Sequence, residues 1–253
     1  MEKKIACITG ATSGIGWATA IHLAKAGYAI LACGRRLERL RELAEALPTG
    51  TPYWSLSFDV RDQSEVTRAF SSLPTEWQEI EVLINNAGNA HGLDTIDEGK
   101  VEDWDAMMDI NVKGLLYVSK TVIPGMVTRK SGQVINIGSI AGKEIYPKGN
   151  VYCASKYAVD ALTKSMRVDL NPHGIKVMGI HPGAVETEFS LVRFKGDADR
   201  ASGVYDGFDP LTADDVAEII AFAVTRPRHV VMADVLLLPL AQASATVFNR
   251  NPS

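Results

Sequence analysis

Short apolar segments alternate with longer amphipathic segments along almost the whole chain, and this alternation constrains the fold more than any other feature. The short segments predict β-strands at residues 5–9, 29–33, 53–58, 82–85, 134–137, 177–181 and 235–238. The longer segments predict helices near residues 15–26, 37–46, 63–72, 103–129, 153–170 and 213–225. Several strands are apolar on both faces, which is typical of a parallel sheet between helix layers. The sequence therefore predicts an α/β fold, a Rossmann-type doubly wound parallel sheet with helices on both faces.

The 253 residues contain no Pro-, Gly- or Ser-rich linker and no repeat, so we expect one domain over residues 1–253. The stretch at residues 182–211 has no clear period and carries a cluster of charges. A long irregular insert in a compact domain is more often a functional loop than an error in the assignment of helices and strands. We interpret residues 182–211 as a loop that covers the substrate. In the long helix at 103–129, Pro124 predicts a kink.

The overall charge is mildly acidic, with 26 basic and 30 acidic side chains and a formal net charge of −4. This balance predicts no binding to nucleic acid or to an anionic membrane surface. The apolar segment at residues 230–240 is interrupted by Asp234 and Pro239 and is far shorter than the roughly 20 residues that span a bilayer. Three widely spaced cysteines form no CxxC pair, and residues 1–4 lead into the first strand without a cleavage-site pattern. We expect a cytoplasmic protein with a small-molecule substrate.

A glycine-rich turn follows the first predicted strand and precedes a helix. Glycines at this point allow a tight turn and a close approach to a pyrophosphate, whose charge is stabilised at a helix N-terminus. The spacing is Gly-x3-Gly-x-Gly, and a turn without any ligand is the alternative. The predicted cofactor-binding residues here are Gly10, Thr12, Ser13, Gly14, Ile15 and Gly16.

Arginines at the end of the second strand predict which dinucleotide binds. A site for NAD has an acidic residue near this point, to accept the ribose 2′-hydroxyl. Here the strand runs into Arg35 and Arg36, whose guanidiniums can hold a 2′-phosphate instead. The alternative is a solvated first turn of the next helix, but basic charge is disfavoured there without an anion. We therefore predict NADP(H) as the cofactor.

Polar or small residues also follow the third and fourth strands. Asp59, followed by Val60, could bond the adenine amine, and Asn86-Ala87-Gly88 would bring backbone close to the adenosine ribose. Such residues often follow strands only as turns. Their occurrence at consecutive strand ends favours a cofactor site.

A reacting centre is predicted where Tyr152 and Lys156 lie four residues apart on one face of a helix. A nearby ammonium favours the phenolate and lowers the tyrosine pKa towards the range useful for acid–base chemistry. Ser139 follows a strand at the same sheet edge and could donate to a substrate oxygen. Asn111 has an amide among apolar neighbours and could anchor a water chain, although a surface asparagine is the alternative.

Together these residues resemble the short-chain dehydrogenase/reductase family over essentially the whole chain. The resemblance implies that Tyr152 is the general acid/base, that Ser139 polarises the substrate oxygen, and that Lys156 lowers the tyrosine pKa and bonds the nicotinamide ribose. It implies that Asn111 holds a proton-relay water and that no metal takes part. The same resemblance assigns Pro182, Gly183 and Val185 to the nicotinamide end of the cofactor, and it places Thr187 near the pyrophosphate.

Further segments are similar to one subgroup, the NADP-dependent 3-hydroxy acid dehydrogenases. They lie at residues 73–77, 149–152, 188–197 and 239–243. The subgroup implies interconversion of serine, allo-threonine or 3-hydroxypropionate type acids with their 3-oxo acids or semialdehydes. The alternatives are a reductase of sulfoacetaldehyde or 3-oxoacyl thioesters, and a dinucleotide sensor without activity.

A carboxylate substrate of an acidic protein needs a local cation, preferably a bidentate arginine. Arg193 in the 182–211 segment is the first candidate and Lys148 the second. The alternatives for Arg193 are an ion pair with a neighbouring acid such as Glu188, or a contact that holds the segment to a partner subunit. By resemblance we also expect a homotetramer, assembled through the helices at 103–129 and 153–170.

Overall fold

A computed structural model describes residues 4–250; the expectation for the start of the chain therefore falls partly on residues 1–3, outside the described part. One parallel sheet, in the order β3-β2-β1-β4-β5-β6-β7, forms the centre of the domain. Its strands are β1 Ile5–Thr9, β2 Ala29–Gly34, β3 Tyr53–Ser57, β4 Ile80–Asn85, β5 Gly132–Ile137, β6 Ile175–Pro182 and β7 Asp234–Leu237. The predicted strands are confirmed, with ends that differ by a few residues at most.

The helices that connect the strands cover both faces of the sheet. They are α1 Gly14–Lys25, α2 Leu37–Ala46, α3 Gln63–Ser71, α4 Val101–Met108, α5 Gly114–Arg129, α6 Asn150–Leu170, α7 Phe189–Arg193, α8 Ala198–Ser202 and α9 Ala213–Val224. All five residues of β1 are buried, and alternate side chains enter opposite layers. Cys7 packs with Leu31 in one apolar cluster, and Ile8 packs with Ile30 in the other. The doubly apolar strands arise from this two-sided burial, and the predicted single-domain α/β fold is confirmed.

The strand order reverses beside β1, because β2 lies on one side of β1 and β4 on the other. Helices after β1 and β4 therefore depart to opposite sides and leave a crevice at the carboxyl ends of the strands. Thr9 and Asn85 end these two strands. The glycine-rich turn and the Asn86-Ala87-Gly88 segment that follow them meet at this crevice.

The long helix predicted at 103–129 is interrupted. A five-residue π-helical turn, Asp109–Lys113, separates α4 from α5. Pro124, where the sequence predicts a kink, lies inside α5. The irregular turn contains Asn111, and π turns within helices often occur at functional sites.

The segment at 182–211 contains regular structure that the sequence does not predict. Two five-residue helices, α7 and α8, and a 3-10 turn at Gly203–Tyr205 lie within it. Helices of this length make barely more than one turn, so they show no detectable period. Val185 pairs with Leu211 in a short parallel bridge, which brings the ends of the segment together.

Within residues 4–250, no helix has both the length and the apolar character that crossing a membrane requires. The three cysteines are buried as free thiols.

Candidate active site

A cavity of about 710 Å³ opens at the carboxyl edge of the sheet. Both the predicted nucleotide end and the predicted reacting end border it. The predicted site residues that line it are Gly10, Thr12, Ser13, Gly14, Ile15, Arg35, Arg36, Asp59, Val60, Asn86, Ala87, Gly88, Ser139, Tyr152, Lys156, Pro182, Gly183, Val185, Thr187 and Arg193. Gly16, Asn111 and Lys148, all within the described chain, lie outside this lining.

The glycine-rich turn needs its glycines because backbone approaches it closely. A Cβ on Gly16 would lie 2.4 Å from the carbonyl oxygen of Gly10, and Gly10 itself has a φ of +65°. Ser13 precedes α1 without a side-chain capping bond, and the first turn of α1 holds no acidic residue. The N–H groups at this helix end are therefore available to an anion, as a pyrophosphate requires.

Asn86 connects the two strand ends that flank this turn. Its Nδ2 donates to the carbonyl oxygen of Thr9 at 2.9 Å, while the backbone N–H groups of Asn86 and Ala87 both donate to Thr9 Oγ1 at 3.0 Å. The side chain of Asn86 thus holds the turn in shape, and its contact with a cofactor ribose stays a prediction.

Arg36 is held in place at the end of β2. Its Nη2 donates to the carbonyl oxygen and to Oγ1 of Thr12, both at 3.1 Å, and its Nη1 lies 3.0 Å from a Glu188 carboxylate oxygen. Glu188 therefore pairs with Arg36, and the alternative pairing of Glu188 with Arg193 is wrong. A third arginine, Arg39, donates to the Thr12 carbonyl at 3.3 Å and stacks over Trp17. Arg39 was not predicted as a site residue, although its spacing of about one helical turn from Arg36 could have indicated it.

Asp59 is engaged by its own neighbours. Arg61 Nη2 donates to Asp59 Oδ2 at 2.7 Å, and Arg35 Nη1 lies 3.7 Å from the same oxygen. Burial acts to raise the pKa of Asp59, but the hydrogen bonds from Arg61 hold it below its usual value. Asp59 borders the cavity as a charged carboxylate, and its bond to an adenine amine stays a prediction.

Tyr152 and Lys156 lie at the start of α6, four residues apart as predicted, and Ser139 follows β5. All three side chains are buried. Ser139 Oγ accepts a hydrogen bond from the backbone N–H of Ala141 at 3.1 Å, which leaves its own proton free to donate elsewhere. Lys156 Nζ donates to the carbonyl oxygen of Ile137 at 2.9 Å.

Burial shifts the pKa values of Tyr152 and Lys156 in opposite directions. It raises the pKa of Tyr152 well above its usual value, with a further rise from Tyr146, against the opposing effects of Ser139 and of the Arg193 charge. Burial lowers the pKa of Lys156 to about 8. The phenol is therefore protonated at neutral pH, and the amine can exchange its proton close to neutrality. A pKa-lowering effect of Lys156 on Tyr152 stays a prediction.

Asn111 is buried in the π turn and faces the loop after β4. Its Nδ2 donates to the Asn89 carbonyl at 2.8 Å and to Ser155 Oγ at 3.0 Å, and its Oδ1 accepts from the Asn89 N–H at 2.9 Å. A Cβ on Gly88 would lie 2.8 Å from Asn111 Oδ1 and 3.6 Å from Lys156 Nζ. The missing Cβ therefore allows these two polar groups to approach the same strand end.

Arg193 lies beside the phenol of Tyr152. Its guanidinium carbon is 5.6 Å from the Tyr152 ring centroid and 5.5 Å from that of Tyr146, and its Nε donates to the Gly92 carbonyl at 3.2 Å. Phe189, from the same segment, packs on the Tyr152 ring. Lys148 is exposed and borders a separate small depression, which Arg193 also lines.

Behind the site, Asp160, His181 and Asp234 come together with their ligand-type atoms within 4.8 Å of one another. Lys143 Nζ donates to both carboxylates, at 2.8 Å to Asp160 and 2.6 Å to Asp234, and so supplies a cation there. Histidine spacing in the sequence did not reveal this cluster, because its members come from separate elements that meet only in the fold.

Comparison with known proteins identifies the class. The family model for short chain dehydrogenases matches residues 4–197. The chain therefore belongs to the short-chain dehydrogenase/reductase family, and it is an oxidoreductase that acts on a hydroxyl group.

Individual relatives are similar over nearly their whole length. An NADP-dependent 3-hydroxy acid dehydrogenase of Salmonella typhi is 42% identical over 242 residues, which cover 95% of this chain and 97% of that protein. One of Schizosaccharomyces pombe is 40% identical over 248 residues, covering 97% and 96%. A closed form of serine dehydrogenase complexed with NADP⁺ has 40% identity and a TM-score of 0.91, covering 98% of this chain and all of that one. The predicted cofactor, NADP(H), is the one that the descriptions of these three proteins name.

Proposed function

We propose that this protein is an NADP(H)-dependent oxidoreductase that interconverts small 3-hydroxy acids, of the serine, allo-threonine and 3-hydroxypropionate type, with their 3-oxo acids or semialdehydes. The names of the relatives at about 40% identity support the cofactor and the class of substrate. The observation that carries the proposal is the position of Arg193. This cation lies over the Tyr152 ring at the wall of the same cavity, where it could bind a carboxylate beside the proton donor.

The residues around the cavity fit an NADP(H) molecule. The uncapped start of α1 and the glycine-rich turn suit the pyrophosphate, and Arg36, held by Thr12, suits the 2′-phosphate. Arg35 borders the same end of the cavity. Pro182, Gly183 and Val185 would border the nicotinamide end, and Thr187 would lie near the pyrophosphate. When bound, the nicotinamide supplies or accepts the hydride.

Tyr152 is the group that moves the proton. In reduction, its phenolic proton goes to the substrate oxygen as the C=O bond becomes C–OH, and Ser139 donates a hydrogen bond to the same oxygen. Its raised pKa keeps the proton in place until negative charge develops on that oxygen. Lys156, with a pKa of about 8, returns the proton through water that Asn111 helps to hold. Oxidation of the alcohol follows the same path in reverse.

Arg193 binds the carboxylate of the substrate. Its Nε is held by the Gly92 carbonyl, which gives the guanidinium a fixed place at the cavity wall, and a guanidinium has further N–H donors to offer a carboxylate. The exposed position of Lys148, outside the cavity lining among the described residues, favours Arg193 as the anchor.

Steady-state kinetics of Arg193→Ala test this proposal. Loss of a charge-assisted pair costs about 1.5–3 kcal/mol, so KM for 3-hydroxypropionate rises roughly 10–100-fold while KM for a neutral alcohol of similar size stays nearly constant. Arg200→Ala is the matched control, because Arg200 is an exposed arginine of α8 that stacks on Phe194 and lies off the cavity lining. Equal effects of Arg193→Ala on acid and alcohol would remove Arg193 from this role.

The segment at 182–211 covers the substrate in this proposal, as part of one domain over residues 1–253. Contacts from the segment to the body of the domain support this: Lys195 Nζ lies 2.9 Å from Asp103, and the Gly92 N–H donates to the Arg193 carbonyl. We further propose a homotetramer and a cytoplasmic location, both by resemblance to the family.

A further inference from the structure

Tyr146 carries a buried hydroxyl that makes no well-formed hydrogen bond among residues 4–250, although the Arg193 side chain is close enough to interact with it. The residue lies in the loop between Ser139 and α6, and its ring packs directly over Gly149. A Cβ on Gly149 would lie 2.5 Å from Tyr146 Cε2, so the glycine is required for this packing. Leaving a buried polar group unpaired costs about 1–3 kcal/mol, so such a group in a folded protein calls for an explanation.

The surroundings of this hydroxyl point to an anionic ligand. Tyr146 borders the same cavity as Tyr152 and Arg193, and the Arg193 guanidinium lies at nearly equal distance from the two rings. Burial raises the pKa of Tyr146, and the charge of Arg193 together with the hydrogen-bonding interaction of its side chain only partly opposes this rise. The phenol therefore stays neutral over the physiological range, so it donates a hydrogen bond without repelling an anion.

We propose that Tyr146 is a substrate-binding residue, and that its hydroxyl donates a hydrogen bond to the same substrate carboxylate that Arg193 binds. This inference rests on the proposed function, because it names a second donor to the carboxylate of a 3-hydroxy acid. A carboxylate accepts several hydrogen bonds, and each one that it loses on leaving water must be replaced in the cavity. Arg193 and Tyr146 together replace them, and they fix the carboxylate at one distance from the Tyr152 hydroxyl.

The consequence is discrimination by charge and by length. A neutral ester of the same carbon skeleton cannot use either donor as well as the acid does, because hydrogen bonds to a charged acceptor are about twice as strong. The hydrogen bond from Tyr146 goes to the carboxylate and not to the reacting oxygen, so its loss falls on binding of the acid.

Tyr146→Phe tests the inference, because it removes the oxygen and keeps the ring that packs on Gly149. We expect KM for 3-hydroxypropionate, and the inhibition constant of propionate as a non-reacting carboxylate, to rise about tenfold or more. KM for methyl 3-hydroxypropionate, the dissociation constant of NADP⁺ and kcat stay within about threefold. The thermal unfolding temperature stays equal or rises, since an unpaired buried hydroxyl is removed; a merely structural hydroxyl would lower it.

Tyr53→Phe is the matched control. Tyr53 lies in β3, outside the cavity lining, and its hydroxyl donates to the Leu40 carbonyl at 2.7 Å. Its loss lowers stability and leaves both KM values unchanged. If the wild-type enzyme prefers the acid to the ester and Tyr146→Phe keeps that preference, the inference is wrong and the proposed function stands. If the wild-type enzyme shows no preference for the acid, both are wrong.

Discussion

Replacing Lys156 with methionine is expected to inactivate the enzyme and to stabilise its cofactor-free form at pH 7. Burial lowers the pKa of Lys156 from 10.5 to about 8. At roughly 1.4 kcal/mol for each pKa unit, the folded protein loses about 3 kcal/mol when it holds this lysine charged. Methionine removes that cost but also removes the hydrogen bond to the Ile137 carbonyl, worth about 1–2 kcal/mol.

The net gain for Lys156→Met is therefore about 1–2 kcal/mol at pH 7, or a rise of about 2–8 °C in the unfolding temperature for a chain of this size. The gain has a defined pH dependence. Because the folded pKa lies below the unfolded one, the penalty on the wild type is complete below pH 8 and disappears as pH rises from about 8 to 10.5. At pH 9.5 the two proteins approach each other, and the variant can be the less stable one.

Thermal unfolding followed by circular dichroism, at one protein concentration and without cofactor, measures this difference. Lys25→Met is the control, since Lys25 is exposed in the last turn of α1 and its effect on stability should be the same at pH 7 and pH 9.5. A Lys156→Met variant that is less stable than the wild type by the same amount at both pH values would refute the argument from burial.

Two other predictions concern charged groups outside the reacting centre. The double change Arg35→Asp with Arg36→Gly removes both candidate phosphate ligands, so kcat/KM for NADP⁺ falls about 10–100-fold relative to that for NAD⁺; an unchanged preference would contradict the phosphate assignment. Lys143→Met leaves Asp160 and Asp234 without their shared ammonium and lowers the free energy of unfolding by about 2 kcal/mol at pH 7. Hydrogen bonds from Lys143 and Lys164 outweigh burial and hold the pKa of Asp160 low, so this deficit is present above about pH 4 and shrinks as pH falls further; a pH-independent deficit would be the contrary result.

The sheet could be predicted because its five inner strands, β2, β1, β4, β5 and β6, are buried on both faces. Burial of Ile8 in one apolar layer and of Cys7 in the other is what makes β1 apolar throughout. Tyr152 and Lys156 could likewise be placed from spacing alone, since four residues along a helix bring two side chains to one face.

Features that depend on contacts between distant segments could not be predicted. The residues of the π turn at Asp109–Lys113 are equally compatible with an α-helix. The turn is distinguished by the hydrogen bonds of Asn111 to Asn89 and Ser155, which form only in the folded chain. The Arg36–Glu188 pair joins residues more than a hundred positions apart. Arg193 and Tyr146 come from different loops and approach each other only in the folded chain. A pattern within one segment carries no information about either.

The most direct test of the account is the rate and cofactor affinity of Tyr152→Phe. The change removes one oxygen and keeps the ring that packs against Phe189. If Tyr152 is the proton donor, the variant binds NADPH with unchanged affinity in a fluorescence titration, while kcat for reduction of a 3-oxo acid falls about 100–10,000-fold, because only proton transfer is lost. A phenylalanine variant that reduces the substrate at close to the wild-type rate across the pH range would contradict the assignment of Tyr152 as the proton donor.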